Sequence, residues 1–211
     1  MAYTTKQQDF WSGRFGKGYN NRNTFTVKGF DGFYKKTWGI TRTAMNKRFL
    51  RGLKINNILE VGANIGLQLR QLQALGFDHL YGIEIQRDAI ERAKHLTKDI
   101  NIVEGSSFDL PFKSNLFDLV FTSGVLIHIH PKDQRTAIRE MFRVSRKYLW
   151  GFEYYNPTLQ EIPYRGNRNV LWKNDFPGLF QKYCPSLKLI KKVYYPYVAD
   201  GNRDVMYLFK K

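Results

Sequence analysis

Two glycines that flank an asparagine follow a short apolar segment of the sequence. Residues 57–61 run directly into Gly62, Asn64 comes two positions later, and Gly66 precedes a stretch with helical periodicity. Glycine lets the backbone turn sharply and lets a ligand approach closely, and Asn tolerates positive φ better than most residues. The pattern predicts a strand, a ligand-binding turn and a helix.

An acidic residue, Glu84, lies near the end of the next apolar segment, residues 80–85. In doubly wound sheets an acid at this place accepts hydrogen bonds from both hydroxyls of a ribose, because a carboxylate has two acceptor oxygens. The alternative is that Glu84 only caps the helix that begins at Arg87. The ribose role is favoured, and it predicts a ribose-containing ligand beside Gly62.

The elements that must position these residues alternate between strand and helix, which predicts βαβ units and a mainly parallel sheet. Strands are predicted at residues 57–61, 80–85, 100–103, 116–122, 148–155, 187–195 and 205–209. Helices are predicted at residues 67–75, 87–96, 133–146 and 175–183. The last two strands lack an intervening helix, so we expect them to pair antiparallel. The fold class is α/β, a Rossmann-like doubly wound, mainly parallel seven-stranded sheet with an antiparallel edge strand.

The segment before this core is less regular. Residues 1–30 predict a short helix followed by an ordered loop, and residues 33–52 predict a second helix. We therefore expect a single domain over residues 1–211, in which residues 1–56 form an N-terminal helical lid and residues 57–211 form the Rossmann-like core.

The net charge of +16 is carried mainly by the two flanks, with +10 in residues 1–56, +1 in residues 57–150 and +5 in residues 151–211. Basic flanks can steer phosphates, carboxylates or nucleic acid, or they can simply keep the surface soluble. No block of five consecutive basic residues occurs, so a nucleic-acid-binding tail is not indicated.

Several classes of protein are excluded by composition. A single cysteine, Cys184, rules out an internal disulfide and a multi-cysteine zinc site. His128 and His130 have no accompanying carboxylate cluster, so no metal site is predicted. No apolar run approaches the roughly 18 residues of a membrane span, and no signal-peptide core is present. We expect a cytoplasmic protein without a membrane partner, and the oligomeric state stays open.

The stretch 58–124 resembles the class I S-adenosylmethionine-dependent methyltransferases. Its Glu60-x-Gly62-x-Asn64-x-Gly66 is similar to that family's first motif, an acid followed by x-G-x-G-x-G with a variable middle glycine. Residues 105–112, GSSFDLPF, are similar to the motif G-D-A-x-x-L-P-F, and residues 117–121, FDLVF, are similar to F-D-x-V. The resemblance implies S-adenosyl-L-methionine as the cofactor and methyl transfer as the activity.

A narrower resemblance covers nearly the whole chain. The chain is similar to the methylases associated with pseudaminic acid biosynthesis, through FWSGRFGKGYNNRN at 10–23, LEVGANIG at 59–66, GVLIHIHP at 124–131, EYYNPT at 153–158 and YRG at 164–166. This resemblance implies a small anionic sugar acceptor, either nonulosonic-acid-like or a nucleotide sugar.

The cofactor-binding residues implied by these motifs lie along the first four strands and in the lid. Tyr19 or Arg22 is expected to hold the methionine carboxylate, and Ser106 stands where the family has the acid that faces the adenine. The predicted set is Tyr19, Arg22, Glu60, Gly62, Asn64, Gly66, Glu84, Ser106, Ser107, Phe108, Ser123 and Gly124.

A hydroxyl acceptor needs a base, because a protonated alcohol is a poor nucleophile, whereas an amine needs only its neutral form. His128 follows the fourth strand, and its ordinary pKa near 6.5 suits this work; the alternative is a packed histidine. Glu153, near the end of the fifth strand, is the second catalytic candidate. Four residues are expected to bind the acceptor, with the Arg165 fork suited to a carboxylate or phosphate: Tyr155, Asn156, Tyr164 and Arg165.

The sequence thus predicts O- or N-methylation of a small anionic sugar, and two alternatives stay open. The basic flanks and the isoelectric point near 9.9 keep an RNA or tRNA methyltransferase in view. Asn64 and Ser106 depart from the family motifs, so the second alternative is a protein that binds S-adenosylmethionine without catalysing a reaction.

Overall fold

A computed structural model describes residues 4–211 of the chain, so the first three residues of the predicted lid lie outside the described part. Its centre is a seven-stranded sheet with the strand order β3-β2-β1-β4-β5-β9-β8. The strands of this sheet are β1 (Asn57–Val61), β2 (His79–Glu84), β3 (Ile100–Glu104), β4 (Phe117–Ser123), β5 (Ser145–Tyr154), β8 (Lys188–Pro196) and β9 (Arg203–Lys210). Two short strands, β6 (Gln160–Glu161) and β7 (Trp172–Lys173), pair separately.

Strands β1 to β5 run parallel, and β9 runs antiparallel to both β5 and β8. The antiparallel pairing therefore lies at one edge of the sheet, and the predicted fold class is confirmed. The strand order reverses between β1 and β4, and in open α/β sheets ligands bind at this reversal, beyond the carboxyl ends of the strands.

Helices cover both faces of the sheet. They are α1 (Lys6–Ser12), α2 (Arg14–Arg22), α3 (Val27–Trp38), α4 (Arg42–Leu50), α5 (Leu67–Gln73), α6 (Arg87–Leu96), α7 (Gln134–Val144) and α8 (Phe176–Tyr183). Apolar residues of β1 and β4 are buried on both sides, which is the pattern of central parallel strands. One apolar cluster lies under α7 and α8, and the other lies under α3, α4 and α5.

The N-terminal segment differs from its prediction. The expected loop after the first helix is the helix α2, and the expected helix at 33–52 is divided into α3 and α4. Gly39 ends α3 with φ of 73°, because glycine enters the left-handed region without the Cβ cost that other residues bear. Thr41 then caps α4 by accepting a hydrogen bond from the backbone N–H of Ala44 at 3.1 Å.

Helices α1 and α2 lie over the carboxyl edge of the sheet and are bound to it by amide side chains. Asn20 accepts a hydrogen bond from Asn64 at 2.6 Å and donates one to Gln86 at 3.2 Å. Gln8 donates to the hydroxyl of Ser106 at 2.8 Å. The sequence places polar side chains on this part of the chain, and these contacts explain why they are there. Within the described residues, no helix has the length and apolar character that crossing a bilayer requires.

The turn after β1 has the predicted backbone. Gly62, Asn64 and Gly66 all have positive φ, at 78°, 48° and 76°. The amide of Gly62 donates to the carbonyl of Ile83 at 2.8 Å, which ties the turn to the end of β2. A Cβ on Gly62 would lie 2.6 Å from a methyl carbon of Val125.

Replacing Gly62 by alanine should therefore destabilise the fold. We expect Gly62→Ala to lower the free energy of unfolding by about 2–4 kcal/mol, from the left-handed backbone and from overpacking against Val125. Urea denaturation measures this change. Gly201→Ala is the matched control, because a Cβ there meets no atom within 4 Å, and equal loss in the two variants would contradict the account.

Candidate active site

A cavity of about 350 Å³ lies between the helices α1 to α3 and the carboxyl ends of β1, β2 and β4. Pockets for small ligands usually begin at about 300 Å³. Twelve of the predicted residues line it: Tyr19, Glu60, Gly62, Asn64, Glu84, Ser106, Ser107, Phe108, Ser123, Gly124, His128 and Tyr164. Residues far apart in the sequence are thus brought to one place.

The carboxylate of Glu84 is buried and accepts three backbone hydrogen bonds. One oxygen accepts from the amide of Asn64 at 2.7 Å, and the other accepts from the amides of Ile85 at 2.8 Å and Gln86 at 2.9 Å. Burial raises the pKa of Glu84, and the three amides oppose this rise. A carboxylate has about four acceptor positions, so one position remains for a ligand. Both alternatives for Glu84 are compatible with this geometry, because the side chain holds the start of α6 and also faces the cavity.

The carboxyl of Glu60 is buried in the cavity wall, and its Oε2 has no hydrogen-bond partner. Burial raises its pKa well above the ordinary value, while the nearby guanidinium of Arg42 lowers it. Arg42 is itself fully buried, with hydrogen bonds to Tyr34 and Ser123. A buried polar atom without a partner costs about 1–3 kcal/mol, so a ligand with a donor group at Glu60 would be stabilised.

The third-strand motif reaches the cavity through Ser106, Ser107 and Phe108. The hydroxyl of Ser106 accepts from the side chain of Gln8 at 2.8 Å and from the amide of Phe108 at 3.1 Å. The acid of this motif, Asp109, is exposed and does not line the cavity.

His128 lies on the turn after β4, in a 3₁₀ helix (Leu126–His128). Its Nδ1 is 2.8 Å from the carbonyl of Val170, so Nδ1 carries the proton and Nε2 is the free acceptor. Burial lowers the pKa of His128 from 6.5 to about 4, and the histidine is neutral at pH 7. The ring packs against Trp11, with 4.4 Å between ring centroids, and against Tyr164 at 5.5 Å.

The placement of Glu153 does not support the catalytic role predicted for it. This side chain is fully buried and does not line the cavity. It accepts from the amide of Val125 at 3.2 Å and from that of Ile127 at 3.4 Å, so it holds the turn that carries His128. Burial raises its pKa to about 7. Strand alternation brings the neighbouring Tyr154 into the cavity wall instead.

Five other predicted residues lie outside the cavity wall. The guanidinium of Arg22 is over the ring of Phe15, and the ring of Tyr155 packs 4.7 Å from that of Tyr194. The side chain of Asn156 donates to the carbonyl of Thr158. The predicted residues that the cavity wall does not include are Arg22, Gly66, Tyr155, Asn156 and Arg165.

Sequence reasoning missed a group of residues that do line the cavity. They come from segments outside the quoted motifs: the start of α1, the helix α3, and the strands β5 and β9. They are Gln8, Tyr34, Trp38, Phe152 and Asp204. For Tyr34 and Trp38 the signal in the sequence is the density of aromatic residues in 10–38. Trp11 and Tyr154, which belong to the motifs at 10–23 and 153–158, also line the cavity.

Comparison with known families decides between the classes of protein that this site fits. Residues 59–148 match the family model described as a methyltransferase domain. Residues 59–148 therefore form a methyltransferase domain. The matched segment begins in β1 and ends in β5, so it includes Glu60, Glu84 and His128.

Solved structures share the fold of the methyltransferase. A SAM-dependent methyltransferase from Leishmania major is 17% identical, with a TM-score of 0.73, and the match covers 98% of this chain and 87% of that one. A chain in the complex between the Haloferax volcanii Trm112 methyltransferase activator and a methyltransferase is 14% identical, with a TM-score of 0.67 and 99% of each chain covered. The [4+2]-cyclase SpnF is 12% identical, with a TM-score of 0.63, and the match covers 80% of this chain and 79% of that one.

The burial of His128 predicts a pH dependence of stability. In the unfolded methyltransferase this histidine takes up a proton near pH 6.5, whereas in the folded protein it does so only near pH 4. Its contribution is therefore present above pH 6.5 and is lost as the pH falls towards 4. We expect the wild type to lose about 2–3 kcal/mol more than His128→Phe between pH 7.5 and pH 4.5.

Urea denaturation of both proteins at four pH values in this range measures the difference. His130→Phe serves as the control, because His130 lies outside the cavity wall. If the free energies of unfolding of the wild type and of His128→Phe change equally with pH, His128 is not held neutral by the fold.

Proposed function

We propose that the methyltransferase transfers a methyl group to a hydroxyl or amine of a small acceptor that enters the cavity beside His128. The observation that carries this proposal is the convergence of three features in one cavity. They are the glycine turn at Gly62, the buried Glu84 with one free acceptor position, and the unpartnered oxygen of Glu60.

The residues of the cavity wall fit S-adenosylmethionine. Phe108 offers a flat apolar face for the adenine, and the hydroxyls of Ser106 and Ser107 lie in the same part of the wall. Glu84 would accept from one ribose hydroxyl through its remaining lone pair, rather than from both hydroxyls. Glu60 would accept from an amino group through its unpartnered oxygen. These residues would hold and orient the cofactor.

S-adenosylmethionine supplies an activated methyl group, so the protein must orient the acceptor and remove its proton. His128 is the base in this proposal, since its Nε2 is the free acceptor and the ring is neutral at pH 7. The hydrogen bond to Val170 fixes the tautomer, and Trp11 and Tyr164 fix the ring plane. A low pKa makes His128 a weak base, and an acceptor amine would need less help from it than an alcohol.

The lid belongs to the same proposal. Residues 1–56 act as a lid on a single domain, and the contacts of Asn20 and Gln8 with the sheet edge hold the lid over the cavity. Trp11 and Tyr19 then exclude water from the reacting groups.

A sugar acceptor is supported by Tyr154 and Tyr164, which both line the cavity, since a tyrosine combines an aromatic ring with a hydroxyl and suits a hydroxylated ring. The anionic character came from the family resemblance, the basic flanks and Arg165, and of these only Arg165 would contact the acceptor directly, yet it does not line the cavity. We therefore retain a small, sugar-like acceptor and not its negative charge.

An RNA or tRNA acceptor is the second candidate, favoured only by the net charge of +16. Binding of RNA through phosphate contacts would weaken steeply with salt, with each phosphate contact adding to the slope. Among the described residues, no Lys or Arg lines the cavity, so an RNA would have to bind outside it.

Removing one carboxylate oxygen from Glu84 tests the cofactor site. We expect Glu84→Gln to weaken S-adenosylmethionine binding at least tenfold, because the amide offers one acceptor oxygen where the carboxylate offers two. Calorimetry measures the affinity. The matched control is Glu91→Gln, an exposed glutamate of α6 that pairs with Lys94, and equal affinities in the two variants would remove Glu84 from the site.

Replacing His128 tests the base. We expect His128→Ala to lower kcat about 10²-fold or more with a smaller change in the KM for S-adenosylmethionine, because general-base catalysis contributes typically 10²–10⁴-fold. The control His130→Ala should retain kcat, since His130 packs against Trp172 outside the cavity. A kcat that is unchanged in His128→Ala across pH would assign this histidine to packing alone.

A further inference from the structure

The acidic residues of the cavity wall contrast with the basic composition of the whole protein. The chain carries a net charge of +16, yet the described residues of the wall include three carboxyl groups and no Lys or Arg. The three are Glu60, Glu84 and Asp204. Cations lie behind the wall: Arg42 packs against the rings of Tyr34 and Phe152, Arg70 donates to the carbonyl of Phe25, and Lys173 is near Asp204.

Asp204 is far from the proposed cofactor contacts. It lies on β9 opposite Tyr154 of β5, whereas Glu84 lies on β2. Four strand spacings separate β2 from β9 in the sheet, which is about 19 Å at ~4.8 Å per strand. A cofactor that is anchored at Glu84 therefore leaves the Asp204 end of the cavity for another group.

Aromatic rings surround this end. Phe33, Tyr34, Trp38, Phe152 and Tyr154, here called the aromatic end, all line the cavity. The ring centroids of Trp38 and Tyr34 are 4.4 Å apart, and those of Trp38 and Phe152 are 5.5 Å apart. The faces of aromatic rings carry negative electrostatic potential and attract cations, and such cages bind ammonium groups.

The carboxyl of Asp204 is almost fully buried and weakly satisfied. Its described hydrogen-bond partner is the hydroxyl of Tyr197, at 3.2 and 3.3 Å from its two oxygens. Burial raises its pKa well above the ordinary value; the nearby Tyr197, Lys173 and Trp38 lower it, and Glu153 raises it further. A buried acid of this kind is stabilised in its charged form when a cation pairs with it.

We infer that the aromatic end and Asp204 form a subsite for a positively charged ammonium group of the acceptor. This inference rests on the proposed methyl transfer and specifies the acceptor class: a small molecule that carries a protonated amine, compatible with a sugar-like body. The carboxylate of Asp204 pairs with the ammonium, and the rings of Trp38, Phe152 and Tyr154 replace its water. Anions are disfavoured at this end by the carboxyl of Asp204.

A pair of matched probes tests the charge preference directly. The full-length protein is titrated by calorimetry, at constant ionic strength, with 2-phenylethylammonium and with 3-phenylpropionate, which have the same ring and opposite charges. We expect the ammonium to bind at least tenfold more tightly. Asp204→Asn should reduce this preference at least tenfold, because the amide cannot pair with the cation.

Asp200→Asn is the control, since Asp200 lies in the exposed turn of the same β8–β9 hairpin and should leave the preference unchanged. If circular dichroism shows that Asp204→Asn does not fold, Trp38→Leu replaces it, with an expected threefold to tenfold loss of ammonium affinity. Equal or tighter binding of 3-phenylpropionate, or a preference that survives both variants, would overturn the subsite.

A separate titration of each protein with S-adenosylhomocysteine keeps the two claims apart. Normal binding of S-adenosylhomocysteine together with no ammonium preference would contradict the subsite alone. If the folded wild type does not bind S-adenosylhomocysteine, the proposed function is contradicted. The titrations with the two phenyl probes would still show whether the subsite prefers an ammonium group.

Discussion

The buried carboxylate of Glu84 organises the edge of the sheet at which the site lies. A carboxylate at this depth is stable only because backbone amides surround it, and these amides come from two different segments. Asn64 belongs to the turn after β1, whereas Ile85 and Gln86 follow β2. One side chain thus fixes the glycine turn relative to the start of α6.

The lid depends on the same contacts. The side chain of Asn64, whose amide binds Glu84, binds Asn20 of α2, and Asn20 also binds Gln86. The positive φ of Asn64 therefore serves two contacts: it directs the backbone amide to Glu84 and the side chain to Asn20. This explains physically why an asparagine can replace the middle glycine here, and it weakens the argument that the departure marks an inactive protein.

The distribution of charge separates the outside of the protein from the cavity. The positive charge lies largely in the flanks of the chain, whereas the cavity wall holds acids and aromatic rings. A basic exterior can raise the encounter rate with anions, but it does not determine what fits inside. The shared fold does not decide the reaction either, since the [4+2]-cyclase SpnF has it too.

The core and the glycine turn of the candidate site could be predicted because they depend on local signals. The strand, glycine turn and acid of residues 57–84 are contiguous in the sequence, and their backbone matches the prediction at Gly62, Asn64 and Gly66. The acceptor side could not be predicted in the same way. Glu153 and Tyr154 are neighbours on one strand, and which of them faces the cavity depends on the sheet register and on Asp204 opposite.

The same limitation applies to the lid. The division of residues 27–50 into α3 and α4 depends on the left-handed Gly39, which ends α3, and on the extended Thr41, which caps α4. Arg42 begins α4 as a fully buried cation, and nothing in a basic segment distinguishes it from the exposed basic residues around it. The burial of Arg42 depends on its tertiary hydrogen bonds to Tyr34 and Ser123, which the local sequence does not show.

The most direct test of the central claim is a crystal structure of the protein with S-adenosylhomocysteine. The account predicts the nucleoside in the cavity beside Gly62, with one ribose hydroxyl about 2.5–3.0 Å from a carboxylate oxygen of Glu84 and the amides of Asn64, Ile85 and Gln86 still in place. A ligand bound elsewhere, or a ribose that makes no contact with Glu84, would contradict it.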